Sequence, residues 1–267
     1  MDKSYIAQFN YKKWHSLTDL PKVNGDSMPA SPPASKNQSN DMKKCKVQSD
    51  INQNKHNVAC NDILSNISDN AQKLLYNIAI NLELSVRERF TMLNISARVG
   101  ENAKHELITR GLVIESVAGK KKYLIPQSEV FEAFGLLCPY KNKDFVEHSF
   151  FMYIAGLTLK KDPKIKSVSL EYKIGTAGHT ADIVTQDDKG VLISYELTHS
   201  KSNIVQNCLK YSGTGFSKII FLCKKTDTLK AVRSTVLKEG LPLELLSKID
   251  FMLLSDLLKR KRSGGKK

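Results

Sequence analysis

The chain has no apolar run approaching the roughly 18 residues that a membrane-spanning helix needs. Its polar opening, Met1-Asp2-Lys3-Ser4, lacks the apolar core of a secretory signal. The expectation is a soluble, cytoplasmic protein without a membrane span. Cysteine chemistry is equally sparse: Cys45, Cys60, Cys138, Cys208 and Cys223 form an odd set with no CxxC pair and no histidine at zinc spacing, which argues against a disulfide frame or a zinc finger. Cys208 and Cys223 stand in apolar patterns and read as buried core thiols. No G-x-x-x-x-G-K-S/T stretch occurs, so the chain carries no P-loop motor. Aliphatic residues are scarce over residues 1–65, which are rich in Asn, Ser, Lys and Gln and hold Pro21, Pro29, Pro32 and Pro33. Such a segment cannot bury enough apolar surface to offset its chain entropy and reads as a disordered arm. Tyr5, Phe9, Tyr11 and Trp14 break that composition, as a short docking peptide or as a chance cluster.

Acidic residues are outnumbered, 27 against 41 Lys and Arg, for a net charge of +14. A polyanionic partner follows, because cations placed at phosphates release condensed counterions. Nucleic acid comes first and an anionic membrane second. No helix pairs a lysine-rich face with a large apolar one, which leaves a peripheral membrane protein little support.

From Ser68 the pattern turns helical, with Ala71, Leu74, Leu75, Ile78 and Leu82 at spacings of three and four behind a Ser68 or Asp69 cap. A short helix over 85–93, a turn at 94–96 and a third helix from Arg98 to Arg110, ended by Gly111, come next. Leu112-Val113-Ile114-Glu115 and Lys122-Tyr123-Leu124-Ile125 then read as two strands around Gly119-Lys120-Lys121, closed by Pro126. Three helices followed by a basic hairpin resemble the winged-helix superfamily, in which the third helix enters the major groove and the hairpin touches the backbone. The resemblance implies that Arg98, Asn102, Lys104 and His105 face DNA, with Lys120, Lys121 and Lys122 in the wing. Winged helices also serve as protein-binding modules, and three lysines in a loop are also found as a solvated turn.

A linker helix over 129–137 and a break at Cys138-Pro139 precede a second apolar pattern opening at Asp144. Phe145, Phe150, Phe151, Ile154 and Leu157 predict a helix with an aromatic face. Three strand-type runs follow, at 168–174, 181–185 and 191–195, separated by glycines and by Asp187-Asp188-Lys189-Gly190. A helix over 202–211, a strand at 219–222, a helix over 229–238, an apolar run at 251–254 and a basic tail, Lys259-Arg260-Lys261-Arg262, complete the chain. The order α-β-β-β-α-β predicts an α/β class (α+β overall), with a mixed sheet flanked by helices. The expected layout is an arm (1–65), a winged helix-turn-helix (66–138), a mixed-sheet domain (139–258) and a basic tail (259–267).

Asp182 opens one strand and Glu196 closes the next, so a tight antiparallel pair brings both to one end of the sheet. Converging carboxylates repel unless a cation lies between them, and oxygen ligands suit Mg²⁺ or Mn²⁺. Glu147 is a third candidate acid, which Glu171 could replace. Taken singly, such acids also serve as strand caps or partners of surface lysines. Val146-Glu147-His148, Ala181-Asp182-Ile183-Val184 and Tyr195-Glu196-Leu197-Thr198 resemble the PD-(D/E)xK nuclease-like superfamily over residues 144–225. The resemblance implies that Asp182 and Glu196 hold a metal that polarises the scissile phosphate. Thr198 stands where that superfamily keeps a lysine. Lys201 could deliver the ammonium from a shifted position, and His199 is the other candidate.

Residues 87–223 also look like the C-terminal extension of prokaryotic ATPases that pump or process DNA. The likeness lies in Glu88-Arg89-Phe90-x-x-Leu93-Asn94-Ile95-Ser96, in Arg110-Gly111-Leu112-Val113, in Glu196-Leu197-Thr198-x-Ser200-Lys201-Ser202-Asn203-Ile204 and in Gly215-Phe216. It implies a freestanding relative of that tail, of mobile-element type, with such an ATPase as partner. Two functions are therefore expected: a divalent-metal-dependent nuclease acting on DNA, or a non-catalytic DNA-binding regulator or ATPase adaptor with a degenerate nuclease fold. Neither the DNA structure recognised nor the oligomeric state is legible in the sequence.

Overall fold

In a computed structural model that describes residues 63–140, 145–175 and 178–259, the first long helix starts where capping chemistry places it. Ser68 accepts the Ala71 N–H and α1 runs Asp69–Ile80. Helix α2 (Val86–Met92) opens on a capping box between Ser85 and Glu88. Helix α3 (Ala97–Thr109) is capped by Ser96 and is followed by Gly111 in the left-handed region, φ +70°. Gly100 lets α2 and α3 touch: a Cβ there would lie 2.7 Å from the Phe90 ring. Strands β1 (Val113–Ala118) and β2 (Lys121–Pro126) pair antiparallel as a hairpin, and α4 (Ser128–Ala133) follows.

Arg89 points inward from α2 with its side chain fully buried. Its guanidinium donates to the Asn77 and Asn81 carbonyls at 2.8 and 2.7 Å and to Asn77 Oδ1 at 3.0 Å. Asn77 O also accepts the Asn81 N–H that closes α1, and Asn81 O accepts the Leu84 N–H, so each carbonyl is shared between a main-chain donor and the guanidinium. Burial lowers the Arg89 pKa to about 10, so the side chain remains a cation.

Helix α5 (Val146–Lys160) is buried almost all round, from Ser149 to Gly156 and at Leu159. It lies between the hairpin and the sheet, which explains why its apolar pattern is wider than one face. Phe145, expected on that face, is 64% exposed just before the helix. Tyr123 of β2 meets Phe150 and Phe151 edge-on, and Tyr140 meets Phe131 and Phe150 in the same way. One apolar core therefore runs from Leu74 and Leu75 of α1 through these rings to Ile183, Tyr195 and Leu257. The described residues fall in one compact unit.

The sheet holds β3 (Ile165–Ile174), β4 (His179–Asp187), β5 (Leu192–Thr198), β6 (Phe216–Cys223) and β7 (Ile249–Leu253) in that order. The first two junctions are antiparallel and the last two parallel. The parallel junctions are bridged by α6 (Ile204–Leu209), and by α7 (Thr226–Lys238) with α8 (Leu243–Lys248). Strand alternation separates two cores: Ile183, Tyr195, Leu197, Ile220 and Leu222 join α5, while Val184, Ile219, Phe221 and Cys223 join Ile204, Cys208 and Val232 on the other face. This is the mixed α/β arrangement expected. The run at 251–254 divides into the edge strand β7 and the start of α9 (Leu254–Leu258), and α8 was not anticipated. Cys208 and Cys223 are fully buried free thiols. The arm and its aromatic cluster lie outside the described residues, as does the tail beyond Lys259. Among the described residues no helix is long and apolar enough to cross a membrane.

Candidate functional site

The ladder between β4 and β5 pairs Ile183 with Tyr195 and stops there. One step further the same register sets Asp182 opposite Glu196, and the strands fork. The amides freed by the fork are taken up by side chains: Leu197 N–H donates to Asp182 Oδ2 at 2.7 Å, and Asp182 N–H donates to Glu196 Oε1 at 3.4 Å. Two acids thus converge because each replaces a main-chain bond of the other's strand. Opposite Asp182, the β3–β4 register skips Glu171, which takes φ +50°, in the left-handed region that non-glycine residues rarely adopt. Its side chain is exposed. Beyond this kink Tyr172 packs edge-on to Phe216 and Ile174 enters the second core.

Glu196 is 4% exposed. Burial and the neighbouring Asp182 charge raise its pKa, while Lys210 and Tyr211 act against them. Lys210, the C-cap of α6, brings its Nζ to 2.8 Å from Glu196 Oε2 and 2.7 Å from the Thr180 carbonyl. The Tyr211 hydroxyl donates to Glu196 Oε1 and also meets Ser194 Oγ. Burial, then the Glu196 charge, pushes the Tyr211 phenol far above its ordinary range, so it stays a donor.

Lys210 is the residue that the sequence reading missed. Strand alternation puts Glu196 and Thr198 on one face, and Thr198 is buried there. The helix crossing that face on its way to the parallel β6 delivers the ammonium instead. Lys201, the expected substitute, is exposed, and no side-chain bond joins it to either acid among the described residues. The only sequence signal for Lys210 was a lysine beside Cys208 and Tyr211 in an apolar helix.

Glu147 is not at the fork. It accepts from Ser116 of the hairpin and pairs with Lys224, whose ammonium sits 5.0 Å over the Phe151 ring. Burial alone would raise the Glu147 pKa, but hydrogen bonds from Lys224 and Ser116 hold it below the ordinary range. The next residue, His148, does reach the fork: its Nε2 is 3.4 Å from Asp182 Oδ1, and its Nδ1 is 3.4 Å from His199 Nε2. The bond to Asp182 raises the His148 pKa. Burial, then the His148 and Lys224 charges, lowers that of His199, so His148 is the more readily protonated of the pair.

Of the residues expected to face DNA, Arg98, Asn102 and His105 are exposed along α3 and Lys120 is exposed at the hairpin tip. Lys104 is not available: it is 8% exposed, with its ammonium 2.6 Å from Glu101 and 2.8 Å from Glu115. Lys122 pairs with Glu115 at 2.9 Å and Lys121 with Glu88 at 2.7 Å. The hairpin tip itself is docked, for a Cβ on Gly119 (φ +63°) would lie 2.5 Å from Ser255 Cβ in α9.

Among the described residues no group of three or more His, Cys, Asp or Glu side chains is arranged to hold a metal ion. The fork offers two carboxylates, a donor set that fits a hard divalent cation retaining most of its water, Mg²⁺ or Mn²⁺, and does not fit a closed zinc site.

No family model matches the chain, and no curated protein matches it. Among solved structures, a half-complex from the tetradecameric assembly of Thermococcus gammatolerans McrB AAA+ hexamers with bound McrC is similar at 11% identity, over 57% of this chain and 40% of that one, with a TM-score of 0.26. This chain therefore spans two fifths of that structure's length, and a likeness so slight carries nothing about activity.

Proposed function

We propose that this protein is a divalent-metal-dependent nuclease that hydrolyses DNA phosphodiester bonds at the β4–β5 fork and grips DNA through a winged-helix-like region. The observation that carries the reading is the meeting of Asp182 and Glu196 across the fork with the Lys210 ammonium on Glu196. Asp182 and Glu196 would hold the ion, which when bound supplies charge stabilisation at the scissile phosphate and activation of a water. Lys210 takes the part of the lysine missing at position 198, as a fixed ammonium that neutralises charge developing on the phosphate. His148, at the outer oxygen of Asp182, holds that carboxylate in place from α5. The exposed face of α3 with Arg98, Asn102 and His105, and the net charge of +14, supply attraction to the polyanion.

The test is cleavage of duplex, branched and single-stranded DNA in Mg²⁺ or Mn²⁺. Glu196→Ala and Lys210→Met should each cost at least about a hundredfold in rate, while Lys201→Ala stays near wild type. Cleavage that survived Glu196→Ala and Lys210→Met would remove the reading. A second reading is favoured by Thr198 in the lysine position and by the absence, among the described residues, of three acids arranged to hold a metal ion: a DNA-gripping adaptor of a DNA-processing ATPase. It expects binding with steep salt dependence and no cleavage with either metal.

A further inference from the structure

Glu196 has two oxygens, and the structure treats them differently. Oε1 receives the Tyr211 hydroxyl and, at 3.4 Å, the Asp182 amide, whereas Oε2 receives only Lys210. The Tyr211 hydroxyl donates to Glu196, and a phenol has a single proton to give. Ser194 Oγ, which meets the same phenol oxygen, must then be the donor of that second bond. The result is a relay in one direction, Ser194 to Tyr211 to Glu196. It is shut away from water: Ser194 is 0% and Tyr211 1% exposed. The Tyr211 ring is fixed as well, packed edge-on to Phe216 at 5.2 Å in the second core.

From this we infer that Tyr211 is a positioning residue for the site: with Ser194 behind it, it pins Oε1 and so fixes the Glu196 carboxylate in the orientation in which it binds a divalent cation with Asp182. The inference rests on the metal-site reading above and deepens it. The phenol touches neither substrate nor ion. It removes the freedom of Glu196 to rotate away from Asp182.

The experiment is a Mn²⁺ titration of the full-length protein, followed by the electron paramagnetic resonance of the free ion, on wild type, Tyr211→Phe, Ser194→Ala and Glu196→Ala, with DNA affinity measured in parallel. Tyr211→Phe keeps the ring and deletes only the proton. A hydrogen bond to a charged acceptor is worth about a tenfold change in binding or more, so its Mn²⁺ dissociation constant should rise by at least about tenfold. Ser194→Ala, one bond further back, should give a smaller rise in the same direction. DNA affinity should not move, and raising Mn²⁺ should restore the Tyr211→Phe cleavage rate, which a general loss of structure would not allow. Equal thermal melting of wild type and Tyr211→Phe establishes that the fold is kept. If Glu196→Ala loses Mn²⁺ while Tyr211→Phe binds it as wild type does, the positioning role is overturned and the metal site stands. If Glu196→Ala binds Mn²⁺ undiminished, the metal site fails and this inference with it.

Discussion

Two buried charges, one in the helix–hairpin region and one in the sheet region, are held in opposite ways. Arg89 is held by main-chain carbonyls at the end of α1, with no carboxylate in hydrogen-bonding contact among the described residues. Glu196 lies beside a second acid and is held by a lysine, a phenol and an amide. The first arrangement is closed to an added ion, since its cation bonds only to uncharged carbonyl oxygens. The second is not closed, because two like charges are brought together where the chain could have kept them apart, and an added cation relieves that repulsion. On the metal-site reading, it is burial beside a like charge, and not burial alone, that marks a site.

Replacing Arg89 breaks this comparison most severely. Arg89→Met fills similar space but deletes the guanidinium bonds to Asn77 O, Asn77 Oδ1 and Asn81 O, and removing one side of a buried charged network costs about 3 kcal/mol or more. Thermal or urea unfolding should show that loss, whereas Glu196→Gln, which relieves like-charge repulsion, should cost far less. Equal destabilisation by the two substitutions would show that both charges are structural.

A sharper contrast lies within α3. On the DNA-binding reading, Arg98→Ala should weaken binding and flatten the salt dependence by about one ion. Lys104→Ala should leave the salt slope alone and lower stability instead, because Glu101 and Glu115 already hold its ammonium. Fluorescence anisotropy at several salt concentrations separates the two. A change in slope with Lys104→Ala would mean that its ion pairs open on DNA.

Much of this arrangement was legible in the chain. The cap at Ser68 and the glycine after α3 mark helix ends, because a cap depends on a few neighbouring residues. The convergence of Asp182 and Glu196 followed from strand period and a tight turn. What escaped was set by distant segments. Lys210 reaches Glu196 only because α6 crosses the sheet to a parallel strand, and Lys104 is withdrawn from the surface by Glu115 on the hairpin. Glu147 sits one residue from the histidine that touches the fork, yet faces the hairpin. Neighbours in the chain diverge here because a helix buried on all sides serves two partners.

The smallest expected effect concerns the capping box. Glu88 accepts from the Ser85 amide at 2.8 Å, from its hydroxyl at 2.6 Å and from Lys121 at 2.7 Å, so it ties the first turn of α2 to the hairpin. Burial works to raise its pKa, but the bonds from Lys121 and Ser85 outweigh it and lower the pKa to about 2. The folded value lies below the unfolded one, so the stability Glu88 contributes is complete above the ordinary carboxylate range and is lost as pH falls toward 2. The Glu88 side chain is 44% exposed, and solvent screening limits the effect to about 1 kcal/mol. Wild type should therefore melt at higher temperature than Glu88→Gln near neutral pH, with the gap closing between about pH 5 and pH 2. A gap that stayed constant over that range would assign the stabilisation to packing, and would free Lys121 from its structural role and return it to the surface available to DNA.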